Sequence, residues 1–251
     1  MTVHFIGAGP GAADLITVRG QRLLQRCPVC LYAGSIMPKD LLAQCPPDAK
    51  IVDTGPLTLD QILAEFVEAD AAGHDVARLH SGDPSLYSAL AEQCRRLDAL
   101  GIDYEIVPGV TAFAAAAAAL KRELTVPGVA QTVTLTRVST LSTAMPPGED
   151  LTTLARSGGT LVLHLAAAQI DNIVPQLLAG GYAAQTPTAV VAFASWPQEI
   201  VLRGTLSDIA GQMHQANVTK TAVIVVGDVL GAEGFTDSYL YSVARRSRGA
   251  H

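Results

Sequence analysis

Residues 1–12 read MTVHFIGAGPGA, an apolar run that passes directly into a glycine-rich turn. The run Val3–Ile6 predicts a buried strand, and residues 15–25 after the turn predict a helix. A strand that leads through a tight turn into a helix is the opening of a β-α-β unit, from which parallel sheets are built. The first residues of the chain therefore predict an α/β fold.

The same alternation continues along the chain. In the first half, strands are predicted at 29–31, 76–79 and 104–107, and helices at 59–70 and 86–100. After Pro108-Gly109, a helix over the alanine run 114–119 opens a second set of elements. Its strands are predicted at 132–136, 160–165, 188–193, 200–202 and 222–226, and its helices at 167–178 and 207–215. The strands at 188–193 and 200–202 are separated by only a few residues, which predicts an antiparallel hairpin. We predict two α/β domains: residues 1–113 with a largely parallel sheet, and residues 114–251 with a mixed sheet.

Composition narrows the class of protein. The chain has 251 residues, 49% of them hydrophobic and 16% charged, which is typical of a folded protein. Its 23 acidic and 17 basic residues give a net charge of −6, which argues against a nucleic-acid partner. We expect a cytoplasmic protein with no membrane partner, because the sequence shows neither a secretory signal nor a run of about 18 apolar residues. Its four cysteines are expected to be reduced thiols.

Three strand-to-helix turns carry the candidate chemistry. Residues 7–12, GAGPGA, fit the relaxed dinucleotide fingerprint, but Pro10 removes a backbone donor and no acidic residue ends the next strand. A nicotinamide site, a purely structural turn and a ligand loop of another kind all remain open at this point. The other two turns are SGDP (81–84) and VPGVTA (107–112). Ligands bind at the carboxyl ends of strands in open α/β sheets, so the three turns together predict one binding site.

These three segments resemble the signatures of the tetrapyrrole (uroporphyrinogen and precorrin) methyltransferase family. Within that family, ELTVP (123–127), QTVTLTR (131–137) and SWP (195–197) are similar to the branch that acts on precorrin-4. The resemblance implies two α/β domains that hold S-adenosylmethionine in the cleft between them, with S-adenosylhomocysteine as product. It also implies a homodimer and C-11 methylation of precorrin-4 in cobalamin biosynthesis. The alternatives are cobalt-precorrin-4 as substrate and a non-catalytic sensor of a tetrapyrrole or adenosyl ligand.

The resemblance also implies a set of site residues. The donor contacts carried over from the family are Pro10, Ser81, Gly82, Asp83, Leu86, Thr111, Ala112, Leu165, Ala194 and Ala222. Tetrapyrroles of this kind bear acetate and propionate arms, and guanidinium groups bind carboxylates in a bidentate manner. The candidate substrate contacts are Arg78, His80, Arg122, Arg137 and Arg203, each with a surface ion pair or a satisfied core position as the alternative. No metal and no covalent intermediate are expected, the identity of a proton acceptor stays open, and the C-x-x-C at Cys27 and Cys30 is expected to be structural.

Overall fold

The computed structural model describes residues 1–34, 36–139, 144–235 and 237–238. The chain divides into two compact units, Met1–Ala115 and the described part of Ala116–His251. The helix α5 (Ala112–Leu120) contains both this division and the domain boundary predicted from the sequence.

The first unit is built on a five-stranded parallel sheet in the order β3-β2-β4-β1-β5. The strands are β1 (Thr2–Gly7), β2 (Val29–Tyr32), β3 (Lys50–Asp53), β4 (Val76–His80) and β5 (Asp103–Val107). The helices are α1 (Val18–Leu24), α2 (Lys39–Leu42), α3 (Leu59–Ala71) and α4 (Leu90–Leu100). The central strands β1 and β4 are buried along almost their whole length, as expected for a parallel sheet covered on both faces.

Alternation along the strands fills two apolar layers in this unit. Phe5 and Leu31 pack on one face of the sheet with Phe66 of α3. Ile6 and Leu79 pack on the other face with α1 and α2. Each buried aromatic or aliphatic side chain of this size contributes about 1.5–3 kcal/mol to folding, so these layers stabilise the first unit.

The second unit carries a five-stranded mixed sheet in the order β6-β7-β10-β8-β9. The strands are β6 (Val133–Thr136), β7 (Thr160–Leu163), β8 (Pro187–Ala192), β9 (Ile200–Thr205) and β10 (Ala222–Val226). The helices are α6 (Leu151–Ala155), α7 (Ile170–Ala179) and α8 (Ile209–Gln215). Strands β6 and β7 are parallel, and the remaining neighbours are antiparallel. The predicted hairpin of β8 and β9 is confirmed, and so is the α/β class with one parallel and one mixed sheet.

Two local predictions differ from the structure. The helix predicted at 86–100 begins only at Leu90, because Tyr87 and Ala89 have left-handed backbone angles that no α-helix accepts. Strand β3 and helices α2 and α6 were not predicted, since β3 is a short edge strand with mostly exposed residues and the two helices have only four and five residues. No helix in the described ranges has both the length and the apolar character needed to cross a bilayer.

Candidate functional site

Three loops meet at the carboxyl edge of the first sheet. The first loop (residues 8–12) follows β1, the second loop (residues 81–89) follows β4, and the third loop (residues 108–111) follows β5. These strands are neighbours in the order β4-β1-β5 and run in the same direction, so their carboxyl ends lie side by side. This is where open α/β sheets bind ligands.

Backbone hydrogen bonds join the first loop to the end of β4 and to the second loop. The N–H of Ala8 donates to the carbonyl of His80 at 2.8 Å. Gly9 and Gly82 exchange two bonds, with N–H to carbonyl distances of 3.2 and 2.7 Å, in an antiparallel bridge beyond the sheet. These three bonds continue strand pairing into the loops, so the two loops form one framework.

Glycine is required where the loops touch. A β carbon on Gly109 would overlap the carbonyl oxygen of Gly82 and lie 2.7 Å from the α carbon of Gly7. A β carbon on Gly7 would lie 2.8 Å from the same carbonyl oxygen of Gly82. All of these neighbours are backbone atoms, so none can rotate away. The loops approach this closely only because Gly7 and Gly109 carry no side chain.

Asp83 ties the second loop to the third. One carboxylate oxygen accepts the backbone N–H of Gly109 at 2.7 Å, and the other accepts the N–H of Ser85 at 2.8 Å together with the Ser85 hydroxyl. Partial burial of Asp83 acts to raise its pKa, but these hydrogen bonds outweigh that effect and the pKa is lowered. Asp83 is therefore ionised at neutral pH and organises both loops.

The remaining donor-contact candidates of the first unit lie on these loops. Pro10 is buried in the first loop, and Ser81 is exposed and Leu86 half-buried in the second. Gly82 has a φ of +69°, and a β carbon there would meet nothing nearer than 3.8 Å, where it would approach the N–H of Ala112. Gly82 is buried, and a β carbon there would make ordinary van der Waals contact with the residues that lead into α5.

The candidates of the second unit share one edge of the second sheet. Leu165 follows β7, Ala194 follows β8 and Ala222 begins β10, which pairs antiparallel with both of those strands. Phe193 donates its N–H to the carbonyl of Thr221 at 2.8 Å, which holds the end of β8 beside the start of β10. Leu165 is 66% exposed with a φ of +53°, an unusual state for a large apolar residue.

Two of the predicted substrate contacts are buried. Arg78 and His80 are 4% and 5% exposed and lie on the face of β4 that is covered by α3 and α4. Burial lowers the pKa of Arg78 to about 10, so the guanidinium remains charged at neutral pH. Burial, together with the charge of Arg78, lowers the pKa of His80 to about 3, so the imidazole is neutral. Neither side chain can meet a substrate without leaving the core.

The other three arginines belong to the second unit and contact backbone carbonyls. Arg122 and Arg203 line a cavity of about 150 Å³. Arg122 donates to the carbonyl of Ala232, and Arg203 to the carbonyl of Leu120 at the end of α5, both at 3.1 Å. Arg137 donates to the carbonyls of Val138 and Ala144 at 3.0 and 3.2 Å.

The cysteine pair lies in the core rather than at the site. Cys27 and Cys30 are buried free thiols between the first sheet and helices α1 and α2. Burial raises the pKa of Cys27 to about 12, which disfavours the thiolate that metal binding and redox chemistry need. Within the described ranges, no group of three or more His, Cys, Asp or Glu side chains is arranged to hold a metal ion.

Comparison with known proteins agrees with this architecture. The model of the family Tetrapyrrole (Corrin/Porphyrin) Methylases matches residues 2–210. A precorrin-4 C(11)-methyltransferase of Mycobacterium tuberculosis is 82% identical over 250 residues, covering 100% of both chains. A solved cobalt precorrin-4 methyltransferase superposes with a TM-score of 0.89 at 39% identity, covering 91% of this chain and 95% of that one. A uroporphyrin-III C-methyltransferase of Thermus thermophilus, solved with S-adenosylhomocysteine, gives 0.77 at 29% identity and covers 92% and 99%.

The chain belongs to the tetrapyrrole (corrin/porphyrin) methylases, and the predicted family is confirmed. Sequence reasoning missed Gln93 and Thr54, which bond the buried Arg78. The sequence did indicate that such partners exist, because a charged residue in the middle of a buried strand must find polar partners inside the core.

Proposed function

We propose that this protein transfers the methyl group of S-adenosylmethionine to C-11 of precorrin-4, giving precorrin-5, in cobalamin biosynthesis. The observation that carries the proposal is the 82% identity, over the full length of both chains, to the M. tuberculosis precorrin-4 C(11)-methyltransferase. Identity to the solved cobalt-precorrin-4 enzyme is 39%, so the metal-free substrate is favoured.

The donor is proposed to bind at the three loops of the first unit. These loops lie at the carboxyl edge of a parallel sheet, where open α/β sheets bind ligands, and exposed Ser81 offers a hydroxyl to a nucleoside. The complex of the Thermus relative with S-adenosylhomocysteine supports this choice of ligand. The full set of proposed contacts is Pro10, Ser81, Gly82, Asp83, Leu86, Thr111 and Ala112, with Leu165, Ala194 and Ala222 from the second unit.

The main role of these residues is to align the methyl group of the donor with the reacting carbon of the tetrapyrrole. S-adenosylmethionine supplies a methyl group that is already activated by its sulfonium, and the tetrapyrrole supplies an electron-rich carbon. Holding two such reactants in line is worth an effective concentration that reaches about 10⁵ M or more. Loops locked by glycine contacts, backbone bridges and Asp83 provide the rigidity that alignment requires.

Arg122 and Arg203 are the proposed contacts for the carboxylate arms of the substrate. Each has one bond to a backbone carbonyl, and a guanidinium has five N–H donors. Among the described residues that line their cavity, none is acidic, so both charges are available to an anionic arm. Arg137 is a further proposed contact, although its two backbone bonds leave it fewer donors. We also propose a cytoplasmic homodimer, on the basis of the family resemblance.

Transfer of a labelled methyl group tests the proposal. Purified protein is incubated with methyl-tritiated S-adenosylmethionine and precorrin-4, and label in the tetrapyrrole is counted. The proposal predicts label in the tetrapyrrole and calorimetric binding of S-adenosylhomocysteine but not of NAD. A sensor would bind the adenosyl ligand and leave the label on the donor, which would contradict the proposed catalysis.

A further inference from the structure

The second loop holds an unfavourable backbone shape just before α4. Tyr87 and Ala89 have φ angles of 54° and 52°, a left-handed region that is unfavourable for residues other than glycine. Ala89 occupies the N-cap position of α4, and its side chain offers no capping bond. Leu86 lies next to this turn, so it keeps one position only if contacts from other residues stabilise the turn.

A chain of buried polar groups reaches this turn from inside the unit. Arg78 donates through Nε to the amide oxygen of Gln93 at 3.1 Å and through Nη1 to the hydroxyl of Thr54 at 2.8 Å. The Thr54 hydroxyl donates in turn to the carbonyl of Tyr32 at 2.9 Å. The amide nitrogen of Gln93 donates to the carbonyl of Ala89 at 3.0 Å. One guanidinium therefore links the end of β2 to the strained turn.

His80 is buried beside Phe5 near the same turn. Its ring is tilted 50° against Phe5, with ring centroids 5.8 Å apart. Its Nε2 is buried and has no hydrogen-bond partner. Packing against Phe5 therefore holds the ring in the core.

We propose that Arg78 and Gln93 are positioning residues, which hold the left-handed turn at Tyr87 and Ala89 and thereby set the place of Leu86 in the donor site. This inference rests on the proposed function, because Leu86 is a proposed donor contact. For Arg78, it replaces direct substrate contact with support of the second loop from the core.

The shape of arginine explains its presence in the core. A buried cation with only neutral acceptors is costly, so a role in packing alone would favour an apolar residue. The planar fork of Arg78 bonds Thr54 and Gln93 at once, whereas a lysine ammonium has no such fixed geometry.

The sharpest test is Gln93→Glu. Glutamate keeps an oxygen for Arg78 and adds an ion pair, but it has no N–H for the carbonyl of Ala89, so the turn loses its support while the core keeps its packing. The matched control is Gln176→Glu, which removes the same kind of bond, from a side-chain amide to the carbonyl four residues earlier, at 2.8 Å in α7. Arg78→Lys is the second variant, in case Gln93→Glu fails to fold.

Three readouts separate positioning from general stability. We expect Gln93→Glu to speed amide hydrogen exchange in residues 84–90 alone, and to raise the Kd for S-adenosylhomocysteine about tenfold. The KM for the tetrapyrrole should stay within twofold, and the control should match the unmodified protein. Unchanged exchange in 84–90, or an increase spread over the whole unit with unchanged Kd, would overturn the proposal. An Arg78→Lys variant with a raised KM for the tetrapyrrole and an unchanged Kd for S-adenosylhomocysteine would also overturn the proposal, because it would show that Arg78 contacts the substrate. Failure of the unmodified protein to bind S-adenosylhomocysteine would count instead against the proposed function.

Discussion

Gly109→Ala tests the close approach of the three loops most severely. The added methyl group would overlap the carbonyl oxygen of Gly82 and lie 2.7 Å from the α carbon of Gly7. Carbon atoms in contact prefer about 3.5–4.0 Å, so the third loop must move by roughly 1 Å. That shift strains the 2.7 Å bond from the Gly109 N–H to Asp83. Overpacking typically costs about 1–3 kcal/mol, and a weakened charge-assisted bond adds about 1 kcal/mol or more.

The assay combines calorimetric melting with titration of S-adenosylhomocysteine. A loss of about 3 kcal/mol corresponds to a fall in melting temperature of roughly 10 °C for a unit of this size. The Kd for the ligand should rise at least tenfold. The control is Gly211→Ala inside α8, where an added β carbon meets nothing within 4 Å and should stabilise the helix by about 0.5–1 kcal/mol. If Gly109→Ala melted and bound like the unmodified protein, the contact described between the loops would be refuted.

Three further predictions concern single side chains. Asp83→Ala should weaken S-adenosylhomocysteine binding while the fold survives, because the exposed loops lose a link worth about 1.5–3 kcal/mol; unchanged affinity by calorimetry would argue against the site. The pKa of His80 is depressed in the folded state, so the unfolded chain alone takes up a proton as pH falls below about 6.5, and stability is lost in that direction down to about pH 3. In urea unfolding, the advantage of the unmodified protein over His80→Gln should therefore shrink by about 2 kcal/mol between pH 7 and pH 5, and a constant difference would show that the ring is not buried neutral. Arg203→Gln should raise the tetrapyrrole KM about tenfold and leave S-adenosylhomocysteine binding intact, with exposed Arg156→Gln as control; equal effects of the two variants would exclude the cavity as a carboxylate site.

The parts of the fold that could be predicted are those governed by local pattern. The apolar runs of β1 and β4 and the turn after each depend on neighbours in the sequence, so strand, loop and sheet type followed from them. The three loops could be grouped in advance because parallel strands place their carboxyl ends at one edge. Short exposed segments such as β3 and α2 lack such a pattern and were missed.

The shape of the second loop could not be predicted, for a tertiary reason. The sequence from Leu86 to Leu100 has helical spacing, yet Tyr87 and Ala89 are left-handed, and Gln93 bonds both Arg78 and the carbonyl of Ala89 beneath them. Local propensity is a weak term that such long-range bonds override. The burial of Arg78, by contrast, could be predicted from the sequence. Arg78 lies between Val76 and His80 in a strand covered on both faces, so its side chain points into the core.

Mass spectrometry of the reaction product tests the central claim most directly. Purified protein is incubated with S-adenosylmethionine and, in parallel, with metal-free precorrin-4 or cobalt-precorrin-4. The account predicts one added methyl group, located at C-11, on the metal-free tetrapyrrole, with formation of S-adenosylhomocysteine in equal amount. Methylation of cobalt-precorrin-4 alone would show that the cobalt-containing tetrapyrrole is the substrate instead. No added methyl on either tetrapyrrole, with S-adenosylmethionine bound, would contradict the proposed catalysis.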